Sequence, residues 1–474
     1  YGATWTTGDT IGIAYDADKW TLEFFKNGVS QGVAFTNITG TYDPNPTDYV
    51  FYFGNWSAQN ATYELNCGQK PFKFSPPDGF KPLNNTSIIP ETVIPRSNQF
   101  VGIVTYTGDN SASKKIDDLS FSPDLVWVKD RGANFTHFWN DTVRGAGKIL
   151  QSNATTAQTD NSDTIAAFPS FDLKGFTVGT NSNWQMNGNN EPYVGWCWKA
   201  GGSKNTFNVD DVGYASAAAA GLTGGDITPV AASVGTKQGF SIIQYQGNGS
   251  TDQTIPHGLT QAPDFSIIKN MDGTANWTVF HRSVTTTTQK VFYLNTTAAV
   301  ADYSNGSYTW WHQLPGASLF YIGDLSTAIN NGTNDMISYH WHDVPGLQKF
   351  GMYTANASGN GPFVELGFRP SILWVKASSS AGDMSYASWL IVDGERSPTN
   401  AVKKHLWANK SAAEGKRGNG SDSYTDAFLD ILSNGFKIRY NGTDVNGTSG
   451  QTYIYCAWAE APAVNLFGGS SNAR

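Results

Sequence analysis

Charge is scarce in this chain. Of 474 residues only 15% are Asp, Glu, Lys or Arg, the net charge is -8, and the 31 Lys and Arg are scattered. A nucleic-acid backbone is gripped by a clustered basic face, so nucleic acid is excluded as a partner. Cysteine is scarcer still: Cys67, Cys197 and Cys456, an odd number without CxxC spacing, argue against a disulfide framework and a zinc site. Cys197 and Cys456 lie in strand-like aromatic surroundings and read as buried thiols acting as small hydrophobes. No run approaches the roughly 20 apolar residues of a membrane helix; the nearest, Ala217 to Leu222, is short and Ala-rich. With neither an initiating Met nor a signal peptide, Tyr1 reads as a processed end or an internal start. GxSxG, HExxH and GxxxxGK[ST] are missing, and the sparse carboxylates do not recur as the facing pair a glycosidase needs. These absences point away from an enzyme, a metal site or a cofactor.

Glycine (50 residues) and aromatics (14%) are abundant instead. That profile suits many short strands joined by tight turns better than helices, and the length calls for several cores. Three landmarks recur in order. A strand ends in Tyr and a polar turn: Tyr106-Thr-Gly108, Tyr245-Gln-Gly247 and Tyr353-Thr-Ala355. A Pro then opens an apolar strand ending in Lys: Pro123 to Lys129, Pro263 to Lys269 and Pro370 to Lys376. A closing strand pair runs from Phe176, Phe320 and Phe436 to Trp198, Trp341 and Trp458.

Tyr to Pro spans 17, 18 and 17 residues and Phe to Trp 22, 21 and 22, whereas Pro to Phe stretches from 53 to 57 to 66. Fixed ends with an elastic middle are what a sandwich with variable surface loops produces. Pro at a strand's first position costs no ladder bond. The pairs Asn27-Gly28, Asn187-Gly188, Asn434-Gly435 and Asn441-Gly442 are expected to supply positive-φ hairpin turns. The expected fold is all-β, with tandem antiparallel β-sandwich (jelly-roll or concanavalin-like) domains: repeats over 99–202, 238–349 and 350–474. Residues 203–237, rich in Ala, Gly and Ser, read as an extended connector, flexible or laid along a neighbouring surface; residues 83–98 form a second junction.

The N-terminal phrases Gly8-Asp9-Thr-Ile-Gly-Ile-Ala-Tyr-Asp16, Leu22-Glu-Phe-Phe-Lys-Asn-Gly-Val29 and Gly68-Gln-Lys-Pro-Phe72 resemble the later half of a SPRY domain. The resemblance implies a partial concanavalin-like sandwich over 1–82 with its preceding strands upstream or supplied by another protomer. The phrases "FSPDLVWVKDR", "FRPSILWVK" and "YIYCAWAEAP" resemble a repeat of unassigned function found in large virion or tail-associated proteins of aquatic phages. That resemblance implies a structural or adhesive role and no reaction.

Eighteen of the 39 Asn begin an Asn-x-Ser/Thr sequon, where chance would give about seven or eight. They are Asn37, Asn55, Asn60, Asn84, Asn85, Asn134, Asn140, Asn153, Asn248, Asn276, Asn295, Asn305, Asn331, Asn356, Asn409, Asn419, Asn441 and Asn446. Turn-rich β proteins are rich in these residues anyway, but a doubling is expected to reflect N-linked glycans, which would shield a weakly charged β surface.

Other candidates are weaker. Asp141-x-x-Arg144 and Asp393-x-x-Arg396 occupy equivalent places, with His281 and Val284 in the second copy; loss from one copy reads as a dispensable loop ion pair. His340 and His342 alternate about Trp341 on one strand face without a recurring third ligand, and His257 reads as a turn residue. Trp310 and Trp311 stand outside the repeat pattern and are the candidates for stacking on sugar. The expectation is a structural protomer of an extracellular, N-glycosylated filament or surface fibre. Its partners are other copies of itself, as a helical filament or a trimeric fibre, and covalent glycans. The alternative is a tail-fibre or adhesin-type receptor- or carbohydrate-binding protein at a cell or virion surface.

Overall fold

The computed structural model describes residues 2–16, 19–36, 62–67, 69–77, 80, 82–83, 93–94, 96–161, 167–181, 184–287, 289–303, 310–323, 326–379, 387–416, 427–461, 463–464 and 470–471. The chain forms two compact units, Tyr1–Pro90 and Glu91–Arg474, and its architecture is all-β.

In the first unit, strands Ile11–Asp16, Thr21–Lys26 and Val29–Phe35 form an antiparallel meander. Its first hairpin pairs Ile11 with Lys26. Its second turns at Asn27 and Gly28, with φ of 49° and 82°, the left-handed pair such a turn requires. The Asn27 side chain accepts the Thr10 amide at 2.9 Å and donates to Asp9 at 2.7 Å, tying the turn to the first strand. The other three Asn-Gly pairs do not take positive φ. Gly435 is required for a different reason: a Cβ there would lie 2.0 Å from the Val364 carbonyl oxygen, and one on Gly175 would lie 1.8 Å from that of Ile116.

The second unit holds the three repeats, each a sandwich of a larger and a smaller sheet. In the first, Val101–Thr107, Pro192–Trp198, Leu125–Asp130 and His137–Asp141 are neighbours in that order. The third has the same order in Gln348–Thr354, Thr452–Ala459, Pro370–Ala377 and Leu390–Asp393, plus His405–Trp407. The second places Asp335–Trp341 between Phe240–Gln246 and Phe265–Asn270, followed by Thr278–His281. The closing Trp strand therefore lies inside the sheet in every copy, bonded on both sides.

Residues 203–237 are laid along the second repeat. Phe207–Val209, Val212–Tyr214 and Ala231–Gly235 extend its sheet to nine strands, and the first pairs with the last in parallel. The smaller sheets are Lys114–Ile116 with Gly175–Val178 and Ser170–Asp172, Gln253–Pro256 with Leu319–Ile322, and Phe363–Glu365 with Gly435–Ile438 and Leu429–Leu432.

Because side chains alternate along a strand, the Pro-led apolar strands feed two cores at once. Leu125 and Trp127 enter one cluster while Val126 and Val128 enter another; Ile372 and Trp374 behave as Leu125 and Trp127 do, and Leu373 and Val375 face the other way. The outward cores are private to each sandwich. The inward one is common to all three repeats. Trp127, Trp139, Trp196, Trp198, Phe265, Trp277, Tyr339, Trp341, Trp374, Trp389 and Trp458 share it. Indoles of different repeats meet edge to face: Trp127 and Trp374 at 5.1 Å and 85°, Trp198 and Trp458 at 5.3 Å and 68°. That geometry sets the positive edge of one ring against the negative face of the next.

Candidate functional site

The expected sugar-stacking pair is not at the surface. Trp310 is 4% exposed and Trp311 0%. Trp311 is wedged edge-on between Phe280 and Phe320 at 5.7 and 5.4 Å, and its indole N–H donates to the Lys290 carbonyl at 2.9 Å. Both indoles fill the private core of the second repeat, so no ring face is left for a ligand. The histidines are equally enclosed. His340 is held between the hydroxyls of Ser266 and Ser338, each at 2.9 Å. His342 bonds the Asp343 carbonyl oxygen at 2.7 Å and His257 that of Gly316 at 3.1 Å. Cys197 and Cys456 are buried thiols, and burial pushes both up.

Of the sequons, Asn37, Asn55, Asn60, Asn84, Asn85, Asn305 and Asn419 lie outside the described residues. Asn134, Asn248, Asn356 and Asn441 are exposed, and Asn153, Asn276, Asn295 and Asn331 are half-buried. Asn140, Asn409 and Asn446 are buried, at 0%, 6% and 0% exposure, and a glycan on these amides is incompatible with the packing around them.

Their neighbours explain why Asn stands there. Asn153, Asn295 and Asn409 are equivalent, and each accepts the amide at or just before the start of a strand, from His137, Trp277 and Trp389, at 3.0 to 3.1 Å. Asn446 is equivalent to Asn187 and Asn330. Each of the three accepts an amide from the loop after the landmark Tyr (Asp109, Asn248, Asn356) and donates to a carbonyl two residues on (Ser111, Ser250, Ser358). In that loop Asp109, Asn248 and Asn356 each accept the amide of the Ser two residues on. Such an Asx turn places Ser or Thr at the sequon's third position for conformational reasons.

The Asp-x-x-Arg pairs are not loop decoration. Asp141 with Arg144, and Asp393 with Arg396, are buried ion pairs, and both carboxylates face a different repeat. Asp141 accepts the Tyr339 hydroxyl of the second repeat at 2.7 Å; Asp393 accepts the Trp196 indole N–H of the first at 2.9 Å. The equivalent His281 bonds through Nε2 to the Tyr455 carbonyl of the third repeat at 3.2 Å.

These belong to a closed circuit of equivalent bonds. The Gln158 amide of the first repeat donates to Met271 of the second at 2.7 Å, Val300 of the second to Ser378 of the third at 3.2 Å, and Glu414 of the third to Arg131 of the first at 2.9 Å. Running the other way, Trp277 donates through its indole to Gln151, Trp389 to Tyr293, and His137 bonds through Nε2 to Lys410. The landmark lysines reinforce two joints: Lys269 donates to the Thr155 carbonyl and Lys376 to that of Thr297, while Lys129 turns to carbonyls of its own repeat, Asp130 and Ala133. Burial lowers Lys129 and Lys269 to about 8 and Lys376 to about 7.

The joint between repeats 3 and 1 also carries charge. Glu414 pairs with Arg131 at 2.8 Å and with Arg396 at 3.1 Å; burial alone would raise its carboxyl, but the two guanidiniums hold it below the ordinary range. The three repeats thus close into a ring with approximate threefold correspondence, joined by side chains at the positions of His137, Trp277 and Trp389 and of Asp141, His281 and Asp393. Among the described residues, no group of three or more His, Cys, Asp or Glu is arranged to hold a metal.

Residues 96–462 match a domain of unknown function (DUF7483), and residues 1–69 match the SPRY domain. Similar curated proteins include an E3 ubiquitin-protein ligase RKP of Arabidopsis thaliana, 41% identical over 18% of this chain and 6% of that protein. An ATP-dependent RNA helicase DDX1 of Xenopus laevis is 36% identical over 18% of this chain and 10% of its own length. The dual specificity protein kinase splA of Dictyostelium discoideum is 35% identical over 20% and 4%. The chain therefore spans no more than a tenth of the length of these relatives.

Proposed function

We infer that this chain, which belongs to the DUF7483 family of domains, is a structural, non-catalytic protomer of an extracellular filament or surface fibre. The observation that carries the reading is the closed circuit. The side chains recurring in all three repeats (landmark Tyr, Lys and Trp, and the buried Asn) join strands or repeats to one another, and none is arranged around an open cleft. A single chain whose repeats mimic a trimer suits a rigid fibre element, in which the repeats serve as scaffold and their variable loops as the outer surface. N-linked glycans belong to this reading at exposed sequons such as Asn248, Asn356 and Asn441, and not at Asn140, Asn409 or Asn446.

The alternative is a tail-fibre or adhesin-type binding protein of a virion. The phrases of the repeats that resemble tail-associated phage proteins suggest it from the sequence alone, and the buried sequons favour it. Asn409 and Asn446 are held by hydrogen bonds of the fold itself, so the sequon spelling there needs no glycan to explain it. Intact-mass measurement of native material, with electron microscopy of the same sample, separates the two. Glycan mass on ordered polymers supports the filament; an unmodified chain that binds cells and forms no polymer supports the adhesin and overturns the filament.

A further inference from the structure

The ring is not equally built at its three joints. The joint between repeats 1 and 2 uses Trp277 and the Asp141–Arg144 pair with Tyr339. Both joints of repeat 3 pass through a histidine at one of those same positions: His137 where repeats 2 and 3 have Trp277 and Trp389, and His281 where repeats 1 and 3 have Asp141 and Asp393.

Both imidazoles are fully buried and both meet a carbonyl of repeat 3 through Nε2, at 3.1 Å for His137 and 3.2 Å for His281. A carbonyl only accepts, so Nε2 carries the proton and Nδ1 is the bare nitrogen. Nδ1 has no hydrogen-bond partner among the described residues in either case. A second proton would place an unsatisfied N–H and a charge in a dry joint.

The surroundings add no anion at hydrogen-bond distance. His137 lies against the Trp127 ring at 5.4 Å; burial, Lys129 on the neighbouring strand and Arg396 of repeat 3 oppose a positive charge, and the backbone of Lys410 and Trp407 in repeat 3 only partly favours it. The His281 ring lies against the Phe265 ring at 6.0 Å and the Tyr455 carbonyl, while its backbone amide donates to the Thr285 hydroxyl. Its neighbour Arg282 is paired with Asp264; Asp343, which accepts the Phe350 amide and acts on Tyr455 and Cys456 across the joint, is raised to about 7 by burial, so its own linkage favours the closed form as pH falls and offsets part of the His281 effect. Burial takes His137 well below its ordinary value and His281 down to about 4.

We propose that acidification opens the ring selectively at repeat 3, releasing it from repeats 1 and 2 while these two stay joined. The sign follows from linkage: a histidine depressed in the fold binds its proton only when the joint opens, so falling pH through the range between about 6.5 and 4 favours the open form. His257, His340 and His342, also depressed, belong to the interior of repeat 2, and His405 to that of repeat 3. The first three load the sandwich of repeat 2, while His405, down to about 4, also feels Arg396 and Glu414 at the joint between repeats 3 and 1 and so adds to the load on that joint.

The three equivalent amides of Gln158, Val300 and Glu414 provide reporters with an internal control. Hydrogen exchange on the whole chain at about pH 7.5 and pH 4.5, corrected for intrinsic rates, should show protection at Val300 and Glu414 falling by at least about tenfold at the lower pH, with Gln158 unchanged. Equal loss at all three, or no loss at Val300 and Glu414, overturns the proposal. His137→Trp, the residue of the other two copies, should restore Glu414 alone. If that variant does not fold, the wild-type comparison decides by itself.

Discussion

The carboxylate of Asp393, in the third repeat, accepts the indole N–H of Trp196, in the first, at 2.9 Å while both are enclosed. The contact spans 197 residues of sequence, and it ties the last repeat back to the first. Asp393 also receives Nε and the backbone amide of Arg396, so a charged acceptor with three donors sits at the seam. Replacing Trp196 by Phe keeps an aromatic ring, removes one charge-assisted bond and leaves a small void where the rest of the indole was. The expected loss is about 1.5–3 kcal/mol of unfolding free energy, read as a lower urea midpoint with unchanged slope.

Removing the partner charge is predicted to be worse. Asp393→Ala leaves Arg396 buried with only Glu414 and a carbonyl, at a cost of about 3–5 kcal/mol. The same change in a Trp196→Phe background should cost less than the sum of the singles, because the two residues share one interaction. A double-mutant cycle in urea checks this.

The shared aromatic core carries a spectroscopic prediction. Trp198, Trp374 and Trp458 lie within 5.0 to 6.1 Å of one another, so their transitions couple and near-ultraviolet circular dichroism should be intense. Trp458→Leu should reduce that signal and cost about 3–5 kcal/mol through the cavity it leaves. An unchanged spectrum would mean the repeats do not share these rings.

The buried amides predict which sequons matter to the fold. Asn446→Ala removes bonds to Asn356 and Ser358 and should cost about 2–3 kcal/mol, whereas Asn441→Ala at the surface should stay within about 0.5 kcal/mol. Thermal melts of both variants check the contrast. Peptide mapping should find Asn140, Asn409 and Asn446 unmodified whatever the source of the material.

Much of this was legible in the sequence. The landmarks Tyr106, Tyr245 and Tyr353 do the same thing in each copy, donating to the carbonyls of Met186, Ile329 and Val445 at 2.6 to 2.7 Å, and spacing alone identified them as equivalent. The closing Trp198, Trp341 and Trp458 recur at one repeat position, as core residues would, and all three are buried. What periodicity could not convey is which core. Leu-Val-Trp-Val announces two buried faces but not that one of them belongs to three repeats.

The Asp-x-x-Arg pairs were misjudged for the same reason. Their absence from one copy reads as dispensability until His281 is seen at the same joint. Trp310 and Trp311 fell outside the repeat and so invited a surface role, although their neighbours Phe280 and Phe320 come from distant strands that sequence does not place beside them. The sequon excess contains Asx turns and strand caps, which share the Asn-x-Ser/Thr spelling with glycan sites.

The closed ring is tested most directly by unfolding the whole chain in urea at about pH 7.5 while following the Gln158, Val300 and Glu414 amides by hydrogen exchange. One interlocked unit predicts a single transition at which all three lose protection together, with a slope suited to the full span of 91–474. Separate midpoints for the three amides, each with the shallow slope of a domain about a third that size, would show three independent sandwiches and contradict the ring.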